Sequence, residues 1–232
     1  MILLTGATGF VGSNLMKELL KQGLQVRCLV RNPSKEEAVR QSHVEIVKGD
    51  VTDKDSIAKA LEDGKVEAAV HLVGILAETG KATFEASHTQ GTRNMVETCK
   101  AKGIKRFIHI SALGTRENAR SKYHKTKWAA EEIIRASGLG YTIFRPSVMF
   151  GKEDKFTNLF AGIIKISPFI MIPGNGQNKM QPVSVKDIAS AMTMTVKDPR
   201  HINKVYEIGG PEKLTFDQII DAICRVLGKT RL

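Results

Sequence analysis

Cysteine is scarce in this chain of 232 residues, and the three cysteines, Cys28, Cys99 and Cys224, lie far apart. They form no CxxC pair, which argues against a zinc or iron–sulfur site. A chain of this length can bury a sizeable core without disulfide or metal crosslinks. We therefore expect a protein of a reducing compartment, with the cytoplasm as the default location.

Long hydrophobic runs and signal-peptide features are also missing. Met1 is followed at once by a strand-like segment, Ile2–Thr5, without the charged and apolar regions of an export signal. The most apolar stretch, from Phe156 to Pro173, is broken by Lys165 and Pro168. It does not reach the roughly 18 uninterrupted apolar residues of a membrane helix. We therefore expect membrane association to be at most peripheral.

Aromatic residues make up only 6% of the chain, whereas the balance of charge is strongly basic, with a net charge of +11. Such a charge attracts nucleic acid, acidic lipid or an anionic cofactor. Nucleic acid is the least favoured, because interleaved aromatic residues for base stacking are missing. Ten basic residues lie between Arg93 and Lys127, but they flank a predicted strand. We therefore expect a solvated surface rather than one continuous patch.

Apolar strand-like runs alternate with helical patterns along most of the chain. The predicted strands are 2–5, 25–30, 44–48, 68–73, 106–111, 141–144 and 205–208, and the predicted helices are 10–22, 54–62, 83–102 and 121–137. Near-continuous apolar strands separated by helices predict a parallel sheet with both faces covered. Right-handed crossovers make it an α/β, doubly wound Rossmann sheet.

The pattern changes after Gly151, which predicts a division of the chain. Residues 1–150 are the expected dinucleotide-binding Rossmann domain. Residues 151–183 are predicted to be an insertion belonging to a small C-terminal substrate lobe, and the stretch to Gly176 is loop-rich. Residues 184–210 return to the Rossmann domain, and 211–232 begin the C-terminal lobe, which is either short or truncated. Ser184–Asp187 and Thr215–Gln218 have the spacing of capping boxes, so each predicts the start of a helix.

A glycine-rich segment, Thr5–Gly12, follows the first predicted strand directly and opens the first predicted helix. Gly6 permits a tight turn, Gly9 lets the backbone approach a pyrophosphate, and Gly12 lets the helix pack closely on the strand. The helix N-terminus adds free N–H groups and a positive dipole end. The expected cofactor contacts in this segment are Gly6, Thr8, Gly9, Phe10, Val11 and Gly12.

The end of the second strand distinguishes the two nicotinamide dinucleotides. An NAD enzyme carries an acidic residue there for the ribose hydroxyl. Arg31 occupies this place, followed by Ser34 and Lys35. A guanidinium can stack on adenine and hold a 2′-phosphate through two hydrogen bonds. We expect NADP(H) to be preferred, with Lys35 or Ser34 assisting Arg31, and NAD(H) as the alternative.

Further cofactor contacts are expected after the third and fourth strands, where open α/β sheets bind ligands. Asp50, beside Val51, is a candidate acceptor for the adenine amine. Gly74 lets the backbone approach the cofactor, with Leu72 and Val73 before it. Ordinary loop chemistry explains the same residues, so both interpretations stay open here.

Tyr123 and Lys127 are four residues apart on a predicted helix and share one of its faces. Ser111 ends the preceding strand. Hydride transfer to a carbonyl needs a proton donor, and a phenol serves if a neighbouring ammonium lowers its pKa. We expect these three residues to be catalytic. The six histidines lack metal-ligand spacing, so no metal site is predicted. Among them His109 is expected to be structural, and His124 is assigned no role.

Together these segments resemble the short-chain dehydrogenase/reductase superfamily, in the extended or atypical branch related to nucleotide-sugar epimerases and dehydratases. Within it, the sequence is similar to the group that contains the NADPH-holding accessory subunit of respiratory complex I and its bacterial relatives. The resemblance covers nearly the whole chain. The matching segments are 5–12, 50–51, 91–94, 110–112, 123–127 and 145–151.

The resemblance implies specific roles for the residues in these segments. Tyr123 would be the acid/base, Lys127 would bind the ribose hydroxyls, and Ser111 would bind the substrate oxygen. Residues Pro146, Ser147 and Val148 would lie near the nicotinamide, and 181–185 would border the substrate cleft. Members of the family usually carry further C-terminal helices that close the cleft, whereas this sequence stops soon after a helix.

Two functions are therefore expected. The first is an NADP(H)-dependent oxidoreductase or epimerase-like enzyme that acts on a small carbonyl, quinone or sugar-nucleotide substrate. The second is a module that holds NADPH without turnover, as an accessory subunit, assembly factor or redox sensor of a respiratory complex. The protein is expected to be a monomer or a homodimer, with the helices 83–102 and 121–137 as the candidate dimer seam.

Overall fold

The computed structural model describes residues 1–32, 43–167, 169–170 and 175–230. A parallel sheet of seven strands, in the order β10-β6-β5-β4-β1-β2-β3, forms its centre. These strands are β1 (Ile2–Thr5), β2 (Val26–Val30), β3 (Val44–Lys48), β4 (Ala68–His71), β5 (Arg106–Ile110), β6 (Gly140–Pro146) and β10 (Lys204–Ile208). The strand order reverses between β1 and β4, and a ligand crevice forms outside the carboxyl ends of strands at such a point. The predicted doubly wound α/β sheet is confirmed.

Helices cover both faces of the sheet. They are α1 (Phe10–Lys21), α2 (Lys54–Ala60), α3 (Gly91–Ala101), α4 (Lys122–Arg135), α5 (Phe156–Ile166), α6 (Val185–Lys197) and α7 (Phe216–Leu227). One buried cluster joins α1 and α6 to the sheet, for example through Leu15 and Ile188. A second cluster joins α2, α3 and α4 to the opposite face, for example through Ile57, Met95 and Ile134. No helix of the described residues is long and apolar enough to cross a membrane.

The segment predicted as one helix over 83–102 contains two kinds of helix. Residues Glu85–Gln90 wind as a π-helix, and α3 continues from Gly91. The predicted α-helix is therefore correct for α3, whereas residues Glu85–Gln90 have the wider turns of a π-helix. A π-helical turn inserts extra residues per turn and occurs often at functional sites. Here it turns Ser87, His88 and Thr89 into the protein interior.

The prediction of a loop-rich stretch from Gly151 to Gly176 is wrong for residues 156–166, which form α5. The Asp154 carboxylate accepts hydrogen bonds from the N–H and hydroxyl of Thr157, which secures the start of this helix. Phe156, Phe160 and Ile164 recur every four residues and pack with α7. The residues on which the loop prediction rests all follow α5 in the sequence: Pro168, Pro173, Gly174 and Gly176.

The smaller part of the structure has a hydrophobic cluster of its own. Ile164 from α5 packs there with Phe216, Ile220 and Cys224 from α7. Two short strands, β8 (Lys179–Met180) and β11 (Leu214–Thr215), pair antiparallel. Two others, β7 (Met149–Phe150) and β9 (Val183–Ser184), pair in parallel. The division at residues 150, 183 and 210 stays a prediction.

The two predicted capping boxes have different outcomes. At α7, Thr215 accepts the N–H of Gln218, and the Gln218 side chain accepts the N–H of Thr215, so this box is confirmed. At α6, Ser184 accepts the N–H of Lys186, one residue earlier than a capping box requires. Ser184 is therefore a cap, but the prediction of a box there is wrong.

Candidate active site

The glycine loop between β1 and α1 has backbone geometry that side chains would disturb. Gly6 has a φ of +78°, in the left-handed region, and a Cβ there would lie 3.1 Å from the carbonyl carbon of Leu72. A Cβ on Gly12 would lie 2.7 Å from the Cα of Ala7 and would also collide with the Gly6 carbonyl oxygen. Gly9 precedes α1 and supplies no side-chain cap. The first N–H groups of α1, at Phe10 and beyond, therefore face the loop without a capping side chain.

Arg31 and Asp50 lie together at the carboxyl ends of β2 and β3. Arg31 Nη1 is 3.8 Å from Asp50 Oδ2, and the Arg31 side chain is 66% exposed. Asp50 Oδ1 accepts the N–H of Thr52 at 2.9 Å. An exposed ion pair of this length contributes little stability, so Arg31 can exchange it for another anion. Ser34 and Lys35, predicted to assist Arg31, lie outside the described residues.

The other predicted cofactor contacts differ in their exposure. Val51 is buried under Gly91, and its carbonyl accepts a hydrogen bond from Asn94 Nδ2 at 2.9 Å. Leu72 and Val73 follow β4 and are half-buried. Gly74 is exposed, and a Cβ there would lie 3.0 Å from Lys127 Nζ. The backbone after β4 therefore passes directly over the lysine amine.

Lys127 lies on α4 with only 3% of its surface exposed. Its Nζ donates to the carbonyl oxygen of Ile110, at the end of β5, at 3.1 Å. Burial lowers the pKa of Lys127 to about 8, and the nearby Glu131 carboxylate partly opposes the shift. This amine is thus fixed at the carboxyl edge of the sheet, beside Gly74. Its charged form is less strongly favoured over the neutral form than that of a lysine in water.

Tyr123 lies one turn before Lys127 and is surrounded by rings. Its ring contacts Phe84, His88 and His124 edge-on, with centroid distances of 5.7, 5.3 and 5.1 Å. Burial raises the pKa of Tyr123. The expectation that Lys127 lowers this pKa is therefore wrong for the described structure, because removal from water favours the neutral phenol. A phenol held in its protonated form is a proton donor.

Ser111 is 5% exposed and belongs to a chain of hydrogen bonds that the sequence did not indicate. Its Oγ donates to Thr115 Oγ1 at 3.3 Å, and Thr115 Oγ1 is 3.4 Å from His124 Nδ1. His124 had been assigned no role, yet it connects Ser111 with the edge of the Tyr123 ring. Thr115 comes from the loop after β5, and only the tertiary fold brings it to this position.

His88 is a second residue that sequence analysis missed. Its Nε2 accepts the N–H of Ile75 at 3.1 Å, and its Nδ1 is 3.0 Å from Thr126 Oγ1. This pair of partners indicates a neutral ring with the proton on Nδ1. Burial and the nearby Lys127 lower the pKa of His88 to about 3. The sequence does contain one indication of a buried His88, because this residue lies with Met95 and Cys99 on the apolar face of the predicted helix.

Two more histidines lie beneath the site, in the sheet. His71 Nδ1 is 2.8 Å from Thr5 Oγ1, and the His71 ring stacks on His109 at 5.4 Å between centroids. Burial lowers the pKa of both rings, to about 3 for His71. The Lys127 amine thus lies among neutral histidines. No group of His, Cys, Asp or Glu within the described ranges is arranged to hold a metal ion.

The segment from Pro146 to Val148 extends the carboxyl edge beyond β6. The Pro146 carbonyl accepts the N–H of Leu113 at 2.9 Å, which connects it with the loop that carries Ser111. The Ser147 N–H donates to the carbonyl of Ile208 at 2.8 Å. The carbonyl of Val148 accepts the N–H of Val183 at 2.9 Å, so residues 181–185 border the same edge.

These residues share one edge of the sheet but form three groups. The first is the glycine loop, the second is Arg31 with Asp50, and the third contains Gly74, Ser111, Tyr123 and Lys127. A separate cavity of about 640 Å³ lies at the opposite, amino-terminal edge, where Ile2 and Arg106 line it. It contains none of the predicted site residues, so we assign the candidate site to the carboxyl edge.

A family model described as NAD(P)H-binding matches residues 6–199. The chain belongs to this NAD(P)H-binding family. The match begins at the glycine loop and includes every predicted site residue. Three features of the site fit a dinucleotide of this kind. They are the close backbone contacts at Gly6 and Gly12, where a Cβ would collide, the N-terminus of α1, and the buried amine of Lys127.

Several relatives have curated names. One is the mitochondrial NADH dehydrogenase [ubiquinone] 1 alpha subcomplex subunit 9 of Arabidopsis thaliana, 33% identical over 225 residues, covering 93% of this chain and 55% of the relative. The mouse protein of the same name is 29% identical, with 97% and 60% covered. A ceramide reductase of Caulobacter vibrioides is 28% identical, with 85% and 61% covered. This chain thus spans little more than half the length of these relatives.

Solved structures with the same fold include two UDP-glucose 4-epimerases. The UDP-glucose 4-epimerase of Thermotoga maritima, with UDP-glucose, has a TM-score of 0.81 at 20% identity, covering 100% of this chain and 84% of that one. The Thermus thermophilus UDP-glucose 4-epimerase, in complex with NAD, has a TM-score of 0.78 at 20% identity, with 99% and 84% covered. At this identity the likeness establishes the extended epimerase/dehydratase fold.

Proposed function

We propose that this protein is an NADP(H)-dependent reductase of carbonyl compounds. The observation that carries the proposal is the convergence of Ser111, Tyr123 and Lys127 beside Gly74, at the edge that also carries the glycine loop. A hydroxyl, a protonated phenol and an amine are the groups that a carbonyl oxygen and a ribose require. The proposed oxidoreductase function therefore rests on a site rather than on the fold alone.

The cofactor would be held by the loop and by two cationic side chains. Backbone N–H groups around Gly9 and Phe10 would bind the pyrophosphate, Arg31 the 2′-phosphate, and Lys127 the ribose hydroxyls. Asp50 then bounds the adenine end, beside Arg31. The reduced nicotinamide supplies the hydride when it is bound, and the backbone from Pro146 to Val148 would lie beside it.

The protein's own residues would handle the oxygen and the proton. Ser111 Oγ and Tyr123 Oη would donate hydrogen bonds to the carbonyl oxygen of the substrate, and Tyr123 would transfer its proton as the alcohol forms. The raised pKa of Tyr123 keeps the phenol protonated before the reaction. The neutral His88 holds the loop after β4 in place through Ile75, so it acts as a positioning residue.

The second candidate is a module that holds NADPH without turnover. It is supported by the names of the Arabidopsis and mouse relatives, which are subunits of NADH dehydrogenase. In that role the protein would associate with a respiratory complex, at the periphery of the inner membrane. Lys127 and Tyr123 would then serve only to bind the cofactor.

Steady-state turnover separates the two candidates. Loss of nicotinamide absorbance would be followed with NADPH and a panel of ketones, aldehydes and quinones, for the wild type and for Tyr123→Phe. Tyr141→Phe, at the amino-terminal end of β6, is the matched control. Turnover that only Tyr123→Phe abolishes, with NADPH binding retained, is the expected result. Tight NADPH binding without turnover by any of the three proteins would instead favour the holding module.

A further inference from the structure

Three large apolar side chains are exposed around the proposed site. Leu76 is 75% exposed, Leu113 is 40% exposed and Phe150 is 42% exposed. They follow the carboxyl ends of β4, β5 and β6, which are neighbours in the sheet. Exposed apolar residues that gather at one place on a surface mark a binding site, whereas scattered ones need no explanation.

The loop that carries Leu76 is fixed beside Tyr123. Glu78 accepts hydrogen bonds from Lys122 Nζ at 2.9 and 3.0 Å, and from the N–H of Phe84 at 2.8 Å. Lys122 immediately precedes Tyr123, and the Phe84 ring contacts the Tyr123 ring edge-on. Leu76, two residues before Glu78, is thereby held on the Tyr123 side of the site.

Leu113 lies on the loop after β5, which also approaches the rings around Tyr123. Its N–H donates to the Pro146 carbonyl at 2.9 Å, which fixes it to the end of β6. A Cβ on the next residue, Gly114, would lie 3.8 Å from Cε1 of His124. Because His124 contacts the Tyr123 ring, the loop that carries Leu113 lies beside the proposed site.

Phe150 borders the side nearest the glycine loop. It belongs to β7, where its partner is Ser184 in β9. A Cβ on the following residue, Gly151, would lie 3.2 Å from Cε2 of Phe10, the first residue of α1. The three apolar side chains therefore follow three neighbouring strand ends, at the edge of the sheet that carries Ser111 and Tyr123.

One cation beside the site is already occupied. The diphosphate of a sugar nucleotide needs cationic donors, and Lys122, next to Tyr123, is paired with Glu78. A carbonyl on a hydrocarbon chain needs only the hydroxyls of Ser111 and Tyr123.

We propose that the substrate is a ketone carried on a long hydrocarbon chain, with the chain packed against Leu76, Leu113 and Phe150. This inference rests on the proposed reductase function. The reduced nicotinamide gives a hydride to the carbonyl carbon, and Tyr123 gives its proton to the oxygen. The ketone becomes a secondary alcohol, the cofactor is oxidised, and the tyrosinate regains a proton from solvent.

The experiment is a chain-length series with NADPH and methyl ketones from pentanone to tridecanone, beside a nucleotide-linked keto sugar. Each methylene that reaches the apolar patch should raise kcat/KM by up to about fourfold, which corresponds to about 0.8 kcal/mol. The double variant Leu76→Ser, Leu113→Ser should lower the ratio between tridecanone and pentanone by roughly tenfold or more. Met194→Ser, at a residue on α6 that is 69% exposed, is the control and should keep the wild-type ratio.

A flat chain-length series, or faster turnover of the keto sugar, would overturn the inference while leaving the reductase intact. If no ketone is reduced, the reductase proposal fails separately, and calorimetric binding of the same ketones to the NADPH-loaded protein decides the inference. Tighter binding of tridecanone than of pentanone, lost in the double variant, would support the apolar patch. Equal binding of the two ketones would contradict it.

Discussion

Arg31 is the residue on which the choice of cofactor depends in this account. Its guanidinium lies at the carboxyl end of β2, mostly exposed, and within the described residues it makes a long contact with Asp50. A 2′-phosphate can offer it a charge-assisted pair of hydrogen bonds that the ribose hydroxyl of NAD(H) cannot. We therefore expect a preference for NADP(H) to depend on this side chain.

Arg31→Gln should weaken NADPH binding by about 1.5–3 kcal/mol, the usual contribution of a hydrogen bond to a charged group. NADH binding should stay close to wild type. Fluorescence titration of both cofactors checks this, with Arg200→Gln as the control, because Arg200 is 85% exposed and pairs only locally with Asp198. Equal loss of both cofactors, or an unchanged NADPH affinity, would contradict the assignment.

Lys127 is buried and also belongs to the proposed active site. Its folded pKa of about 8 lies below the ordinary value of 10.5. Between these two pH values the unfolded chain holds a proton that the folded protein has released. The free energy of unfolding therefore rises as pH rises from about 8 to about 10.5, since the cost of burying the charge disappears.

Lys127→Met should remove this rise. Relative to the variant, the wild type should gain about 2 kcal/mol in unfolding free energy between about pH 7 and pH 9.5. Urea unfolding of both proteins at the two pH values measures the difference, in which the other titrating groups largely cancel. A constant difference across this range would show that the Lys127 pKa is not lowered.

At the scale of elements, the contact between α1 and β1 depends on the absence of a side chain at Gly12. Gly12→Ala should lower the unfolding free energy by about 1–3 kcal/mol, because the added methyl forces the helix away from the loop. It should also weaken NADPH binding. Gly162→Ala in α5 is the matched control, since its Cβ would meet nothing within 4 Å. That change should stabilise the protein slightly, and equal effects of the two substitutions would contradict the packing argument.

The elements of the sheet could be predicted because their apolar pattern is strong. Strands β1 and β3 begin and end where the sequence indicates, and β4 ends two residues earlier. The helix α5 was missed because its capping by Asp154 and its packing on α7 depend on contacts distant in the sequence or specific to side-chain geometry. The periodicity of Phe156 and Phe160 was present but outweighed by the prolines and glycines that follow.

The residues of the candidate site could be predicted only where they belong to a recognisable sequence motif. The glycine loop, Tyr123 and Lys127 have characteristic spacings, and Arg31 has a characteristic place. His88 and Thr115 have neither, because each reaches the site through the tertiary fold. The direction of the Tyr123 pKa also depends on burial by neighbouring rings, which a spacing of four residues does not contain.

At the scale of the whole molecule, cofactor binding should stabilise the fold as one unit, since the proposed contacts involve β1, β2, β4, α1 and α4. NADPH at about 100 times its dissociation constant should add about 2.7 kcal/mol, which is about 5–10 °C in Tm for a chain of this size. Calorimetric melting with NADPH and NADH tests this. A Tm that neither cofactor shifts would exclude the dinucleotide site. The oligomeric state, monomer or homodimer, stays a prediction.

The most direct test of the account is the fate of deuterium in NADPH that carries two deuterium atoms on the transferring carbon. The cofactor would be incubated with the protein and a mixed panel of ketones, and the products examined by mass spectrometry. We expect deuterium at the carbinol carbon of an alcohol product, and a rate about 10²–10⁴ times lower in Tyr123→Phe with NADPH binding unchanged. Cofactor that keeps both deuterium atoms with both proteins would contradict a reductase at this site.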